Sequence, residues 1–162
     1  SFTPEGGAII DWAQIIHQYM EENNYVYCVY GGNEYEECNT LSRGSHYLSP
    51  TFEGSKTSPQ TRKSCCATFV SWVLQEAGYL TTEEHTDGVE TLERTLETQK
   101  GFTKVAKSEL KPGDIVIYSG HVEIYAGNGQ VYNAGSGNAI RSVAPNGGYG
   151  VEKCLYGLRA PQ

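Results

Sequence analysis

From Phe102 onward the chain reads as short apolar, β-branched segments cut by turn signals, and this pattern constrains the fold more than any other feature. The segments are Phe102–Ala106, Asp114–Tyr118, His121–Ala126, Gln130–Ala134, Ala139–Val143 and Cys154–Arg159. Lys111-Pro112-Gly113-Asp114, Gly127-Asn128-Gly129 and Gly135-Ser136-Gly137-Asn138 supply turns. Consecutive strands joined by short turns must be antiparallel, because a parallel neighbour needs a long crossover.

The preceding part is helical in texture. Thr3-Pro4-Glu5 reads as a helix start, with Thr capping and Pro in the first turn. Ile9, Trp12, Ala13, Ile16 and Tyr19 then recur at helical spacing to about Glu22, and Asn23-Asn24 ends the helix. Tyr25–Tyr30 is short and aromatic, and Gly31-Gly32 stops it. A second helix runs between a cap at Ser64 and a terminator at Gly78, with Phe69, Val70, Val73, Leu74 and Ala77 as its apolar stripe. Thr81 to Lys100 is polar and acidic, with Val89, Leu92 and Leu96 as the thin edge of a surface helix.

Helices first and strands second predict an α+β fold, with N-terminal helices packed on a C-terminal antiparallel sheet of about five or six strands. The 162 residues suit a single domain. Residues 33–64 show no period and read as an irregular insertion, either a solvated loop or a wall or lid of a cleft.

Composition excludes some functions. A net charge of −7 repels phosphate backbones, which argues against nucleic acid as a partner. No apolar stretch is long enough to span a bilayer, so no membrane insertion is expected. No signal peptide is visible at Ser1, which fits either a removed leader or a domain of a longer parent chain with further domains. The five cysteines, Cys28, Cys38, Cys65, Cys66 and Cys154, leave at least one free thiol in an isolated chain. Spacing does not fix a Cys28–Cys38 pairing, and without a Cys-x-x-Cys pair a structural zinc is not expected.

Two of those cysteines open the second helix. Unpaired N–H groups at a helix start favour a thiolate. With about 100° per residue, Val70, Val73 and Ala77 lie within about 40° of Cys66, whereas Cys65 points roughly 100° away. Cys66 is therefore the thiol aimed at the sheet, although a free cysteine is often just a small buried residue.

His17, His46 and His85 read as surface residues. His121 follows Ser119-Gly120 and opens a strand, a rigid and reachable place for a base. Glu123 and Asn133 are candidates for the group that orients it. Glu123 shares the face of His121, but two strand steps, about 6.6 Å between Cα atoms, is long for direct contact. Asn133 shares that face only if the hairpin loop is the three residues Gly127-Asn128-Gly129; a two-residue Asn128-Gly129 turn would put it on the other face.

These residues resemble the NlpC/P60 family of cell-wall cysteine peptidases. Ser64-Cys65-Cys66-Ala67-Thr68-Phe69-Val70 is similar to its Asp-Cys-Ser-Gly-Phe-Val helix, Leu110-Lys111-Pro112-Gly113-Asp114 to its Leu-x-Pro-Gly-Asp turn, and Gly120-His121-Val122-Glu123-Ile124-Tyr125-Ala126-Gly127-Asn128-Gly129 to its Gly-His-Val-Gly-Ile-Tyr-x-Gly-Asn-Gly strand and hairpin. The resemblance implies a papain-like fold, catalytic residues Cys66, His121 and Asn133, and no metal or cofactor. It implies a secreted, wall-associated hydrolase of bacterial or phage origin, acting on the stem peptide of peptidoglycan at the γ-D-glutamyl bond to a diamino acid. Rivals are an N-acetylmuramoyl-L-alanine amidase of CHAP type, an acyltransferase, and a non-catalytic wall-binding module. The family often carries a substrate-holding Tyr where this chain has Cys28, so Tyr27 and Tyr30, together with Glu123, become the candidate substrate contacts.

Overall fold

The computed structural model describes residues 6–23, 25–27, 63–133, 141–145 and 151–162. The proposed Thr3 cap, Tyr30, His46, the Cys28–Cys38 pairing and nearly all of the expected insertion lie outside them.

Helix α1 (Gly6–Glu22) buries Ile9, Ala13, Ile16, His17 and Met20, one stripe of three- and four-residue steps. His17 is thus in the core, its ring 6.1 Å from that of Tyr132, rather than on the surface as the sequence suggested. The helix ends where Asn23 turns its side-chain amide onto the Tyr19 carbonyl at 2.8 Å. Strand β1 (Val26–Tyr27) then pairs in parallel with β2 (Lys63–Ser64), setting Tyr27 opposite Ser64.

Helix α2 (Cys66–Glu76) is buried from Cys66 to Leu74, as befits a helix enclosed by α1 and the sheet. Its N-cap is Cys65, one residue later than the Ser64 expected from capping preferences. The Trp72 ring meets Tyr19 edge-on at 5.6 Å, tying α2 to α1. Helix α3 (Val89–Gln99) buries only Leu92 and Leu96, the thin edge read from the sequence. It starts well after Thr81, because Thr82–Glu84 forms a 3₁₀ turn and His85 tucks against α2 through a 2.5 Å contact with Gln75. His85 is buried, contrary to the surface position expected of it.

The remaining strands are β3 (Thr103–Val105), β4 (Ile115–Tyr118), β5 (His121–Gly127), β6 (Gln130–Asn133), β7 (Arg141–Pro145) and β8 (Tyr156–Arg159). They form one antiparallel sheet in the order β3-β8-β4-β5-β6-β7. The C-terminal strand inserts between β3 and β4, which local patterns could not show. Strand alternation divides the sheet into two faces. Ile115, Ile117, Val122, Ile124 and Leu158 join the helices in the main core. Val116, Tyr118, Val131 and Cys154 form a second cluster.

The Lys111-Pro112-Gly113-Asp114 turn locks this arrangement. Gly113 takes a positive φ of 95°, and the Asp114 carboxylate accepts the Lys111 N–H at 2.8 Å. Arg159 on β8 grips the same carboxylate through Nε at 3.0 Å and Nη2 at 2.8 Å. One acidic side chain thereby closes the corner and fastens β8 beside β4.

Candidate active site

The tip of α2 is built by hydroxyls. The Cys65 N–H donates to Thr68 Oγ1 at 2.7 Å, and Ser64 Oγ lies 2.8 Å from the same oxygen. A thiol is a weak acceptor, so Thr68 supplies the strong hydrogen bond at this cap. Cys66 follows as the first helical residue, with 7% of its surface exposed.

The Cys66 sulfur interacts with the thiol of Cys65 and with the backbone N–H groups of Val122 and Ala67. The contact with Val122 places the sulfur at the start of β5, one residue from His121. The two thiols share their ionisation unequally. The hydrogen bond from Cys66 pulls the Cys65 thiol down to about 7, against the opposing effect of burial. That same hydrogen bond and burial push the Cys66 thiol up.

His121 pairs with Tyr118 across the Ser119-Gly120 turn, where Gly120 has φ 76°. The two rings lie 5.5 Å apart. His121 Nε2 is engaged by Glu123 Oε2 at 3.0 Å, and the Asn133 amide donates to that same oxygen at 2.8 Å. Glu123 is 0% exposed, so the substrate-contact role drawn from the sequence is incorrect for it. The Cα-spacing argument against a His121–Glu123 contact also fails. Two side chains on one face of a strand can lean together when one has the length of glutamate. Burial, followed by the neighbouring Glu123 carboxylate, pushes the Tyr118 phenol well up.

The hairpin reaches this register by an unexpected route. Its turn is the two-residue Asn128-Gly129, both with positive φ, at 56° and 73°. Gly127 faces Gln130, yet Tyr125 faces Val131 and Ile124 faces Tyr132, so Ala126 is an extra residue on β5. The bulge restores the alternation that a two-residue turn would otherwise have reversed. Glu123 and Asn133 therefore share a face without the three-residue loop that the sequence argument required.

Of the residues proposed from sequence, the structure brings His121, Glu123 and Asn133 into one hydrogen-bonded chain and sets Cys66 against the residue after His121. The backbone of Tyr27 lies opposite Ser64, two residues before Cys66. Tyr118 was not foreseen. Its signal was present, since a two-residue Ser119-Gly120 turn obliges residues 118 and 121 to face one another.

The NlpC/P60 family matches residues 51–159, well over half of the sequence. The chain belongs to this family. Among solved structures, the P60 domain of an antigen from M. avium subspecies paratuberculosis is 18% identical with a TM-score of 0.53, and the match covers 96% of each chain. That likeness establishes the NlpC/P60 fold, an α+β papain-like architecture. The NLP/P60 lipoprotein-like structure from Staphylococcus aureus is 17% identical over 75% of this chain and 43% of its own, with a TM-score of 0.46. The peptidoglycan hydrolase RipB from Mycobacterium tuberculosis is 17% identical over 95% and 81%, with a TM-score of 0.44. A comparison with curated proteins finds no match. Against the NlpC/P60 pattern, Cys65 and Thr68 stand where Asp and Gly are usual, and Glu123 stands where Gly is usual.

Proposed function

We propose that this chain is a cell-wall hydrolase, a cysteine endopeptidase acting on peptidoglycan stem peptides at the γ-D-glutamyl–diamino acid bond. Membership of the NlpC/P60 family supports a hydrolase of cysteine type acting at the wall. The observation that carries the reading is the sulfur of Cys66, at the first position of a buried helix and against the Val122 N–H beside His121.

In this reading the Cys66 thiolate attacks the peptide carbonyl, and the oxygen that gains charge is met by the Cys66 N–H at the helix start. His121 takes the thiol proton and returns it to the leaving amine. Water, deprotonated by the same imidazole, then releases the acyl-enzyme. Catalytic contacts are often loose without substrate and tighten in the complex, in keeping with a sulfur that lies one residue from the base. In this reading Tyr27 helps to hold the substrate's amino end, which is supported by the pairing of its backbone with Ser64, two residues before Cys66. The site of action is outside the cell, at the wall. Among the described residues no helix is long and apolar enough to cross a membrane.

The test is digestion of purified peptidoglycan by the chain and by Cys66→Ala, with mass spectrometry of the fragments. New diamino-acid amino ends, formed only with the unaltered chain, are expected. Fragments separated between sugar and peptide would instead identify an amidase. Binding by both proteins without cleavage would identify a wall-binding module.

A further inference from the structure

We infer that Glu123 is the positioning residue of the His121 base, and that Asn133 acts on the imidazole through it. This rests on the reading of Cys66 and His121 as nucleophile and base. The usual family pattern has glycine where this chain has Glu123, so the pattern itself supplies no such carboxylate.

One oxygen, Glu123 Oε2, meets both His121 Nε2 at 3.0 Å and the Asn133 side-chain nitrogen at 2.8 Å. The amide nitrogen can only donate. Oε2 is therefore an acceptor, and as a carboxylate oxygen it accepts from Nε2 as well. That fixes the ring proton on Nε2 and leaves Nδ1 as the nitrogen that can take a proton from a thiol. Asn133 in turn holds the carboxylate in place, and Tyr118 packs beside the imidazole at 5.5 Å.

Burial gives this contact its weight. Glu123 is 0% exposed and His121 is 4% exposed. Removing a carboxylate from water is costly, and such groups persist only where partners compensate. When Cys66 loses its proton, positive charge develops on the ring beside a carboxylate that water does not screen. The neutral amide of Asn133 could orient the ring but could not answer that charge. The Ala126 bulge takes up the extra residue of β5, so that Asn133 lies opposite Glu123 in this register.

The experiment compares Glu123→Gln and Asn133→Ala in the full chain. Three readouts are used: turnover of a synthetic stem peptide, the iodoacetamide alkylation rate of Cys66 resolved from Cys65 by peptide mapping, and NMR of the His121 ring nitrogens. Glu123→Gln should lower kcat/KM by about 100-fold or more with KM little changed. It should also slow Cys66 alkylation and remove the preference for a proton on Nε2. Asn133→Ala leaves the carboxylate in place and should cost about tenfold. If Glu123→Gln does not fold, Glu123→Asp carries the test: drawing the carboxylate back from the ring should lower kcat/KM at least as much as Asn133→Ala and slow Cys66 alkylation, and an unchanged alkylation rate and tautomer would overturn the inference. Alkylation and tautomer unchanged in Glu123→Gln, or a loss in Asn133→Ala as large as in Glu123→Gln, would overturn the inference. If the chain cleaves no stem peptide while Glu123→Gln still alters alkylation and tautomer, the inference stands and the proposed substrate fails.

Discussion

The tip of α2 and the β5–β6 hairpin depart from the family pattern in opposite ways. At the helix tip an ionisable cap, the usual Asp, is replaced by a thiol, and the hydroxyl of Thr68 takes up the hydrogen bonding. In the hairpin a glycine is replaced by a carboxylate, and Asn133 takes up its hydrogen bonding. One region has lost a fixed charge and the other has gained one. Each change is matched by a residue three positions along the helix or directly across the sheet. A departure therefore has to be interpreted together with its partner, because a buried polar group is tolerable only when its hydrogen bonds are met.

The largest break in this comparison comes from separating the two sulfurs. Cys66→Ala should abolish hydrolysis, a loss of at least about 10³-fold, whereas Cys65→Ser should leave turnover within about tenfold. Their pH behaviour should differ as well. In the folded state the hydrogen bond from Cys66 pulls the Cys65 thiol down from its ordinary 9.0 to about 7, so the native state releases this proton first. Stability from that group is absent below about 7, rises as pH climbs toward 9, and is lost as pH falls back through about 7. Cys66 is shifted the other way, so its contribution opposes folding only above 9.0. Denaturant unfolding across this window should show stability gained with pH, on the order of 1–2 kcal/mol, and a flat profile in Cys65→Ser. A flat profile in the unaltered chain would mean that the thiols do not share a proton.

Much of this was legible in the chain. The stripe of α2, the strand run after Phe102 and the position of His121 follow from periodicity and turn chemistry, which act over a few residues. What escaped was non-local. The place of β8 between β3 and β4 depends on Arg159 meeting Asp114, a pairing across 45 residues. His17 looked polar and hence exposed, but its helix face, shared with Ala13 and Met20, decides its burial. Glu123 was seen as a candidate and then set aside on Cα spacing, because backbone distances omit the reach of a long side chain. The hairpin register came out as expected only because a bulge compensated for a turn one residue shorter than assumed.

Thr68 sharpens the helix side of the comparison. Thr68→Val keeps the shape but leaves the buried Cys65 N–H without its 2.7 Å acceptor. It should cost about 1–3 kcal/mol, read as a lowered melting temperature. The pair Cys65→Asp with Thr68→Gly restores the usual residues and should recover only part of that loss: the Asp carboxylate accepts from the backbone N–H at position 68, while the N–H at position 65 stays without the hydroxyl acceptor. A double-mutant cycle with no coupling between positions 65 and 68 would show that the two departures are independent.

The smallest effect is expected on the hairpin side, from deleting Ala126. This residue is the extra one on β5, lying between Tyr125 opposite Val131 and Gly127 opposite Gln130. Without it the two strands can run as a regular ladder into the same Asn128-Gly129 turn, and every pair from Tyr125 back to Glu123 keeps its partner. The contact between Glu123 and Asn133 should survive, and hydrolysis should change little. Stability should fall by about 1 kcal/mol or less, because the bulge sits at the exposed end of the hairpin. Loss of activity comparable to that of Glu123→Gln would show that the bulge sets the strand twist at the site and not only its register.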